Sequence, residues 1–217
     1  MIATIIPAFN EQADRVVRTV SSALEVSDLV VVVDDGSRVP IVADGCFVVR
    51  TENRGPGAAM NAGADAAIRA GATMLYRIDV GDVFRPDAKR RQQAIDAAAS
   101  FSPHFDLVEN KPFQPPRNWA NRIYTDGAFC ICSIAVTAET WRAVGGMDES
   151  LRYGDDWDFT MRVQGAIGWT MFPEITCEAG AFDGGHTKSA DGDPVKRQLK
   201  HECLLCCLAT AAKLKRR

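Results

Sequence analysis

The sequence predicts an α/β fold, a single domain built on a mainly parallel sheet with helices on its faces. Three observations predict it. Short β-branched and apolar runs alternate with helical patterns through the first half of the chain. Each run ends in a polar or glycine-bearing cluster, the edge at which open parallel sheets bind ligands. The composition is that of an ordinary globular protein, 217 residues with 47% hydrophobic and 24% charged, a length that suits one well-buried domain.

Taken in order, Ala3–Ile6 is a short apolar strand ended by Pro7. From Asn10 to Leu24, apolar residues recur at Val16, Val17, Val20, Ala23 and Leu24, one face of a helix. Leu29–Val33 is a continuous run, as in a parallel strand buried on both faces, and it stops at the turn cluster Asp34-Asp35-Gly36-Ser37. Cys46–Val49 is a third strand, followed by Asn53-Arg54-Gly55-Pro56-Gly57 and an Ala-rich helix to about Ala70. Thr73–Ile78 is a fourth strand, ending at Asp79. Beyond it the pattern predicts a helix from Asp87 to about Ala99 and strands over Asp106–Glu109, Gly127–Val136 and Trp169–Phe172. Helices are expected over Ala138–Val144, Asp155–Gln164 and from Pro194 to the C-terminus. Lys111–Tyr124 shows no periodicity and reads as a surface segment, and Glu178–Gly192 as a glycine-rich loop.

Charge and cysteine content narrow the classes. A net charge of −3 gives no global cationic field for nucleic acid, although residues 194–217 carry seven Lys or Arg against Glu202 alone. The chain starts on an apolar strand rather than a secretory leader and has no run of roughly 18 apolar residues. With seven cysteines, an odd number, a cytoplasmic protein with reduced thiols is expected. In the last helix, one Cys-x-x-Cys with His201 does not make a four-ligand zinc site, and Leu199, Cys203, Cys206 and Ala209 are expected as a buried stripe.

Glycine-rich turns and strand-end acids serve several nucleotide folds. Gly55-Pro56-Gly57 lacks the third glycine of a dinucleotide-binding turn, and no Gly-x-x-x-x-Gly-Lys-Ser/Thr loop occurs. What remains is a series: Ile5-Ile6-Pro7-Ala8-Phe9-Asn10-Glu11, Val33-Asp34-Asp35-Gly36-Ser37, Asn53-Arg54-Gly55, Asn61-Ala62-Gly63, Arg77-Ile78-Asp79-Val80-Gly81-Asp82, Gly145-Gly146-Met147-Asp148-Glu149 and Gly154-Asp155-Asp156-Trp157-Asp158. In this order and spacing the chain resembles the family-2 glycosyltransferases of the GT-A fold, from Ile2 to Arg162 and more weakly to His186.

The resemblance implies a nucleotide-sugar donor, a UDP-sugar first among them, with Mn²⁺ or Mg²⁺ and inverting transfer to an acceptor hydroxyl. It divides the chain into a domain over residues 1–193, with a donor half over 1–100 and an acceptor half over 101–193, and a basic helix over 194–217 packed on it or extending from it. Pro7, Phe9 and Glu11 would flank the base and ribose, and Asp35 would hold one of them, against the plainer role of Asp34 and Asp35 as turn and cap residues. Arg54, Gly55 and the helix N-terminus behind them would meet the diphosphate. Met60 stands where the family commonly has Arg.

Asp79 would contact ribose or metal. Gly81 occupies the usual metal-ligand position, so Asp82, with Asp79 and a late His186, is expected to take over. Asp156 is the expected general base, with Asp155 beside it in place of the family's Glu and helix capping as the simpler role. Trp119 and Trp157 are expected as sugar platforms on the acceptor side. The acceptor class is left open between glycan, lipid, protein and modified nucleic acid, with the basic tail suited to a polyanion or a membrane surface, and a homo-oligomer is also open. Gly81 motivates the competing expectation of a catalytically impaired nucleotide-sugar-binding protein. A nucleotidyltransferase is a more distant alternative, since Ile5–Glu11 holds neither glycine nor a basic residue.

Overall fold

The computed structural model describes residues 1–86, 97–102, 104–106, 110–113, 117–124, 134–172, 174–179 and 194–214. The helix expected from Asp87, the first part of the Gly127–Val136 strand, most of the late glycine-rich loop with His186, and the last three basic residues lie outside them.

The first half follows the predicted alternation: β1 (Ile2–Ala8), α1 (Ala13–Val26), β2 (Leu29–Asp34), β3 (Phe47–Arg50), α2 (Pro56–Arg69) and β4 (Met74–Arg77). Short strands β5 (Val83–Phe84), β6 (Ala99–Phe101), β7 (His104–Asp106) and β8 (Lys111–Phe113) come next. After them stand α3 (Trp119–Arg122), β9 (Ile134–Thr137), α4 (Ala138–Ala143), α5 (Asp155–Ala166), β10 (Thr170–Met171), β11 (Cys177–Ala179) and α6 (Pro194–Leu214). Seven strands form the main sheet in the order β10-β6-β9-β4-β1-β2-β3. β1 runs parallel to β2 and β4, and β2 to β3, while β9 is reversed between β4 and β6. The sheet is therefore mainly parallel and flanked by helices, as predicted.

A second, four-stranded sheet, β5-β11-β7-β8, was not predicted. Its strands are two or three residues long, too short to leave a period. The same shortness explains why Lys111–Tyr124 read as irregular although it holds β8 and α3, and why Ala99, expected as a helix end, opens β6.

β1 and β2 are apolar on both faces because each face has its own layer. Ala3, Ile5, Val31 and Val33 pack with Ala59, Met60, Ala64 and Ala67 of α2. Ile6, Val30 and Val32 pack with Val16, Val20, Ala23 and Val26 of α1. The α2 layer lies close because the helix is built from small residues. A side chain at Gly63 would place its Cβ 2.5 Å from Cγ2 of Ile5 and 2.9 Å from Cγ2 of Val33.

Helix α6 packs Cys203, Cys207 and Ala211 against Leu151, Tyr153 and Met161. The expected stripe is corrected: Leu199 and Cys206 are exposed, because the helix lays down its i, i+4, i+8 row. Among the described residues no helix is long and apolar enough to cross a membrane.

The α2 contact predicts that Gly63→Val lowers stability by at least the ~1–3 kcal/mol typical of overpacking. Urea unfolding of wild type and variant should show a lower midpoint with an unchanged slope.

Candidate active site

The loops at the carboxyl edge of β1, β2 and β4 are tied to one another before any ligand arrives. Asn10 adopts a left-handed backbone, φ 55°. Its N–H donates to Ser37 Oγ at 2.8 Å, and its side-chain oxygen accepts from the Arg38 N–H at 2.9 Å. Asp34 caps its own turn, accepting from the N–H groups of Ser37 at 2.8 Å and Ile41 at 3.1 Å, and pairs with Arg50. Burial works against its charge, but these hydrogen bonds and Arg50 outweigh it and hold the carboxyl below the usual carboxylate range.

Asp35 spans to the next loop. Its Oδ1 accepts from Thr51 Oγ1 and from the Arg54 N–H, both at 2.9 Å, and its Oδ2 from the Gly55 N–H at 2.8 Å. The structure thus gives this carboxylate a loop-holding role at the start of α2. Gly55 has a positive φ, 103°, and Pro56 opens the helix, so the unpaired first-turn N–H groups of α2 lie next to the loop that Asp35 holds.

Arg54 is exposed and ion-paired with Glu149. Asn61 links the Gly146–Glu149 turn to α2: its Nδ2 donates to Met147 O at 3.0 Å and Glu149 Oε1 at 2.9 Å, and its Oδ1 accepts from the Met147 N–H at 2.8 Å. Arg152, which the sequence did not single out, lies over Gly55, where a Cβ would come within 2.9 Å of its Nη1. Two guanidinium groups therefore flank the N-terminus of α2. The missing side chain at Gly55 was the available signal for the second.

The acids meet at the end of β4. Arg77 is only 7% exposed. Its Nε donates to Asp79 Oδ1 at 3.1 Å and its Nη2 to Asp79 Oδ2 at 3.4 Å. Burial alone would favour the neutral guanidine, but Asp79, Asp155 and Asp156 together keep Arg77 firmly protonated. Asp155, 5% exposed, opens α5, and its Oδ2 has no hydrogen-bond partner. Burial pushes its carboxyl up to about 6, with Arg77 opposing and Asp156 and Asp79 adding to the rise.

Asp156 is half-buried, and its Oδ1 accepts from the N–H of Trp157 at 2.8 Å. Burial also raises Glu11 above its usual range, with Arg15 opposing and Asp79 adding, so the first loop shares the field of β4. Sequence-predicted residues Asp79, Asp155 and Asp156 thus form one electrostatic cluster around Arg77, and Glu11 joins it through Asp79.

The expected metal set is not assembled among the described residues. No three His, Cys, Asp or Glu side chains there converge as ligands. Gly81 has φ 99° and its N–H donates to Thr19 Oγ1 at 2.8 Å, a backbone that an Asp rarely adopts. Asp82 is enclosed at 4% exposure, with its carbonyl accepting from Thr19 Oγ1 at 2.9 Å. Asp79, its side chain 41% exposed, is the open carboxylate of this turn.

The two tryptophans are placed by packing. Trp119 sets its ring against Phe101, centroids 4.8 Å apart at 74°, and the Trp157 indole N–H donates to the Ile123 carbonyl at 2.6 Å. Pro7 lies in β1 paired with Val33, and Phe9 beyond it is exposed.

A mainly parallel sheet with helix N-termini and acids gathered at its carboxyl edge is the GT-A glycosyltransferase architecture. The family model for glycosyl transferase family 2 matches residues 3–134, and the chain belongs to that family of transferases. Among solved structures it is similar to Staphylococcus aureus TarS 1–349 in complex with UDP-GlcNAc, with 16% identity and a TM-score of 0.66 over 94% of this chain and 71% of that one. It is also similar to the Pyrobaculum calidifontis mannosyltransferase PcManGT in complex with GDP-Man and Mn²⁺, with 19% identity and a TM-score of 0.60 over 98% of this chain and 73% of that one. No curated protein matches the sequence.

The Asp34 contacts carry a pH prediction. A carboxyl lowered in the folded state contributes stability that is present above its unfolded pKa and lost as pH falls through the folded value. Urea midpoints taken from pH 7 to pH 3 should therefore fall less for Asp34→Asn, which starts lower, than for wild type.

Proposed function

We propose that the protein transfers a sugar from a nucleotide-diphosphate donor to an acceptor hydroxyl, with inversion at the anomeric carbon. The observation that supports it is the cluster of Asp79, Asp155 and Asp156 around Arg77, beside the N-terminus of α2. Glu11 and the exposed Phe9 suit the nucleoside side, with Pro7 setting the loop's departure from β1. Asp35 works through the backbone it holds, fixing Arg54 and Gly55 where a diphosphate would meet the helix N-terminus.

In the proposed reaction Asp156 takes the proton of the acceptor hydroxyl through its oxygen not held by the Trp157 N–H. The acceptor oxygen attacks the anomeric carbon on the face opposite the diphosphate, which leaves with the bonding pair. The α2 N–H groups and the arginines beside them stabilise charge gathering on that diphosphate. A divalent cation, when bound, would supply further charge neutralisation there. Asp79 is the side chain suited to hold it, and with a single open carboxylate the remaining ligands would be donor phosphate oxygens and water.

UDP-GlcNAc and GDP-mannose, the ligands of the two structural neighbours, are the first donors to try. A contact of α6 with a membrane surface or polyanion, and a homo-oligomer, belong to the same proposal. The second reading, a nucleotide-sugar-binding protein with impaired turnover, is favoured by one observation, the left-handed Gly81 at the usual ligand position.

Release of nucleoside diphosphate, measured across UDP-GlcNAc, UDP-glucose, UDP-galactose and GDP-mannose with Mn²⁺ and a mixed acceptor pool, separates the readings. Turnover of one donor that falls about 10²–10⁴-fold in Asp156→Asn is the expected result. Donor binding without turnover selects the second reading, and neither binding nor turnover sinks both. Mn²⁺ alone should bind the protein weakly and bind well only with nucleoside diphosphate, while EDTA should slow turnover.

The acid limb of the rate profile should lie near pH 6, where burial places the Asp155 carboxyl of the pair. Asp155→Asn removes that titrating carboxyl, so the limb near pH 6 should disappear. An unmoved limb would deny the pair its role.

A further inference from the structure

β4 reads Met74, Leu75, Tyr76 and then Arg77, so a guanidinium stands at the end of a strand that is otherwise packed into the sheet. Its environment is not that of a surface ion pair. Arg77 is 7% exposed, and Asp79 takes two of its nitrogens, Nε and Nη2, while Nη1 is buried with no hydrogen-bond partner. The Asp155 Oδ2 is likewise buried and unpartnered. Two orphaned atoms of opposite charge therefore lie in one cluster, and each is of the kind that folded proteins rarely leave unpaired.

The surrounding backbone brings these groups together. A side chain at Gly57, in the first turn of α2, would put its Cβ 3.6 Å from the Asp155 Cβ and 3.2 Å from the Asp148 carbonyl. Glycine there admits the Asp148 carbonyl, with the start of α5 in ordinary contact alongside. Gly154, the residue before α5, is left-handed at φ 73°, and its carbonyl accepts from Cys207 Sγ at 3.3 Å, so α6 braces the same corner from behind.

We infer that Arg77 is a positioning residue for sugar transfer: one edge of its guanidinium orients Asp79 on the donor side, and its free Nη1 answers the carboxylates that open α5, so that donor and base are held at a fixed separation. This rests on the reading of Asp156 as the base. The charged and titratable groups that face this corner are Arg77 at the end of β4 and Asp79 just beyond it, Asp155 and Asp156 from α5, Glu11 with Arg15 behind it from the first loop and α1, and the neutral Cys207 thiol from α6. Arg77 and Arg15 are the cations among them. Lysine at position 77 would keep the charge but has no planar fork to hold Asp79 and reach α5 together. Catalytic contacts of this kind are commonly loose before substrates bind, and the unpaired Nη1 and Oδ2 fit a contact that tightens in the ternary complex.

The test compares wild type, Arg77→Lys, Arg77→Met and Asp156→Asn on the same four donors with Mn²⁺. The readouts are kcat, KM, the rate profile from pH 5 to pH 9, and binding of the turned-over donor by calorimetry. Arg77→Met is expected to lower kcat about 10²-fold, the scale of a small misplacement of reacting groups. Donor affinity should change by no more than about threefold, a loss confined to kcat. Removing the cation should also move the acid limb about one unit to higher pH. Arg77→Lys should restore the limb and recover only part of kcat.

A kcat and an acid limb unchanged in Arg77→Met overturn the inference, as does full recovery of kcat in Arg77→Lys. Should Arg77→Met fail to fold, Arg77→Lys decides alone: a reduced kcat with an unmoved limb supports positioning, and a wild-type kcat overturns it. If Asp156→Asn is inactive while the Arg77 variants are unaffected, this inference fails and the proposed function stands. If wild type is silent on all four donors, or Asp156→Asn is fully active, both fail.

Discussion

A guanidinium buried at the end of a β-strand has to be met by carboxylates brought to it, and Arg77 is met from two distant parts of the chain. Asp79 lies two residues on, while Asp155 and Asp156 arrive from the start of α5. The requirement that a buried charge be paired joins the donor side of the sheet to the helix that carries the proposed base. It also places three acids close enough to repel one another, and the enclosed Asp155 carboxyl is raised by burial and by that repulsion. Arg77 offsets part of that repulsion.

The corner depends in turn on small residues. α2 presents Ala59, Gly63, Ala64 and Ala67, which bring its axis close to β1 and β2, and Gly57 admits the Asp148 carbonyl against its first turn. Asp34 and Asp35, adjacent in sequence, divide the labour at the edge of β2. Asp34 fixes its own turn and Arg50, and Asp35 fixes the next loop through the Arg54 and Gly55 N–H groups. The sheet's carboxyl edge is thus tied together by hydrogen bonds from these two carboxylates to backbone N–H groups.

Much of this was legible in the sequence, for physical reasons that also explain the rest. Leu29–Asp34 reads as a buried parallel strand because both its faces are covered, and the alternation with α1 and α2 leaves one sheet topology. The sheet built from β5, β7, β8 and β11 was not legible, since strands of two or three residues carry no period. Asp79, Asp155, Asp156 and Glu11 were found by the clusters they sit in. Gly81 was visible as a departure, but not that its left-handed backbone is held by Thr19. Trp119 and Trp157 were legible as acceptor-side aromatics, but not that the fold sets one against Phe101 and hangs the other from the Ile123 carbonyl. Arg152 went unnoticed because its place over Gly55 joins residues almost a hundred positions apart.

By itself the sequence determined the class of fold, the family and the side chains that carry charge at the sheet's carboxyl edge, because hydrophobic period and turn chemistry are local and survive in one dimension. Only the tertiary structure decided which charges meet. That Asp35 is spent on a loop, that Asp82 is enclosed while Asp79 stays open, and that Arg77 lies among three carboxylates all depend on contacts across the layers. Burial and electrostatic pairing are properties of neighbours in space, and no spacing along the chain contains them.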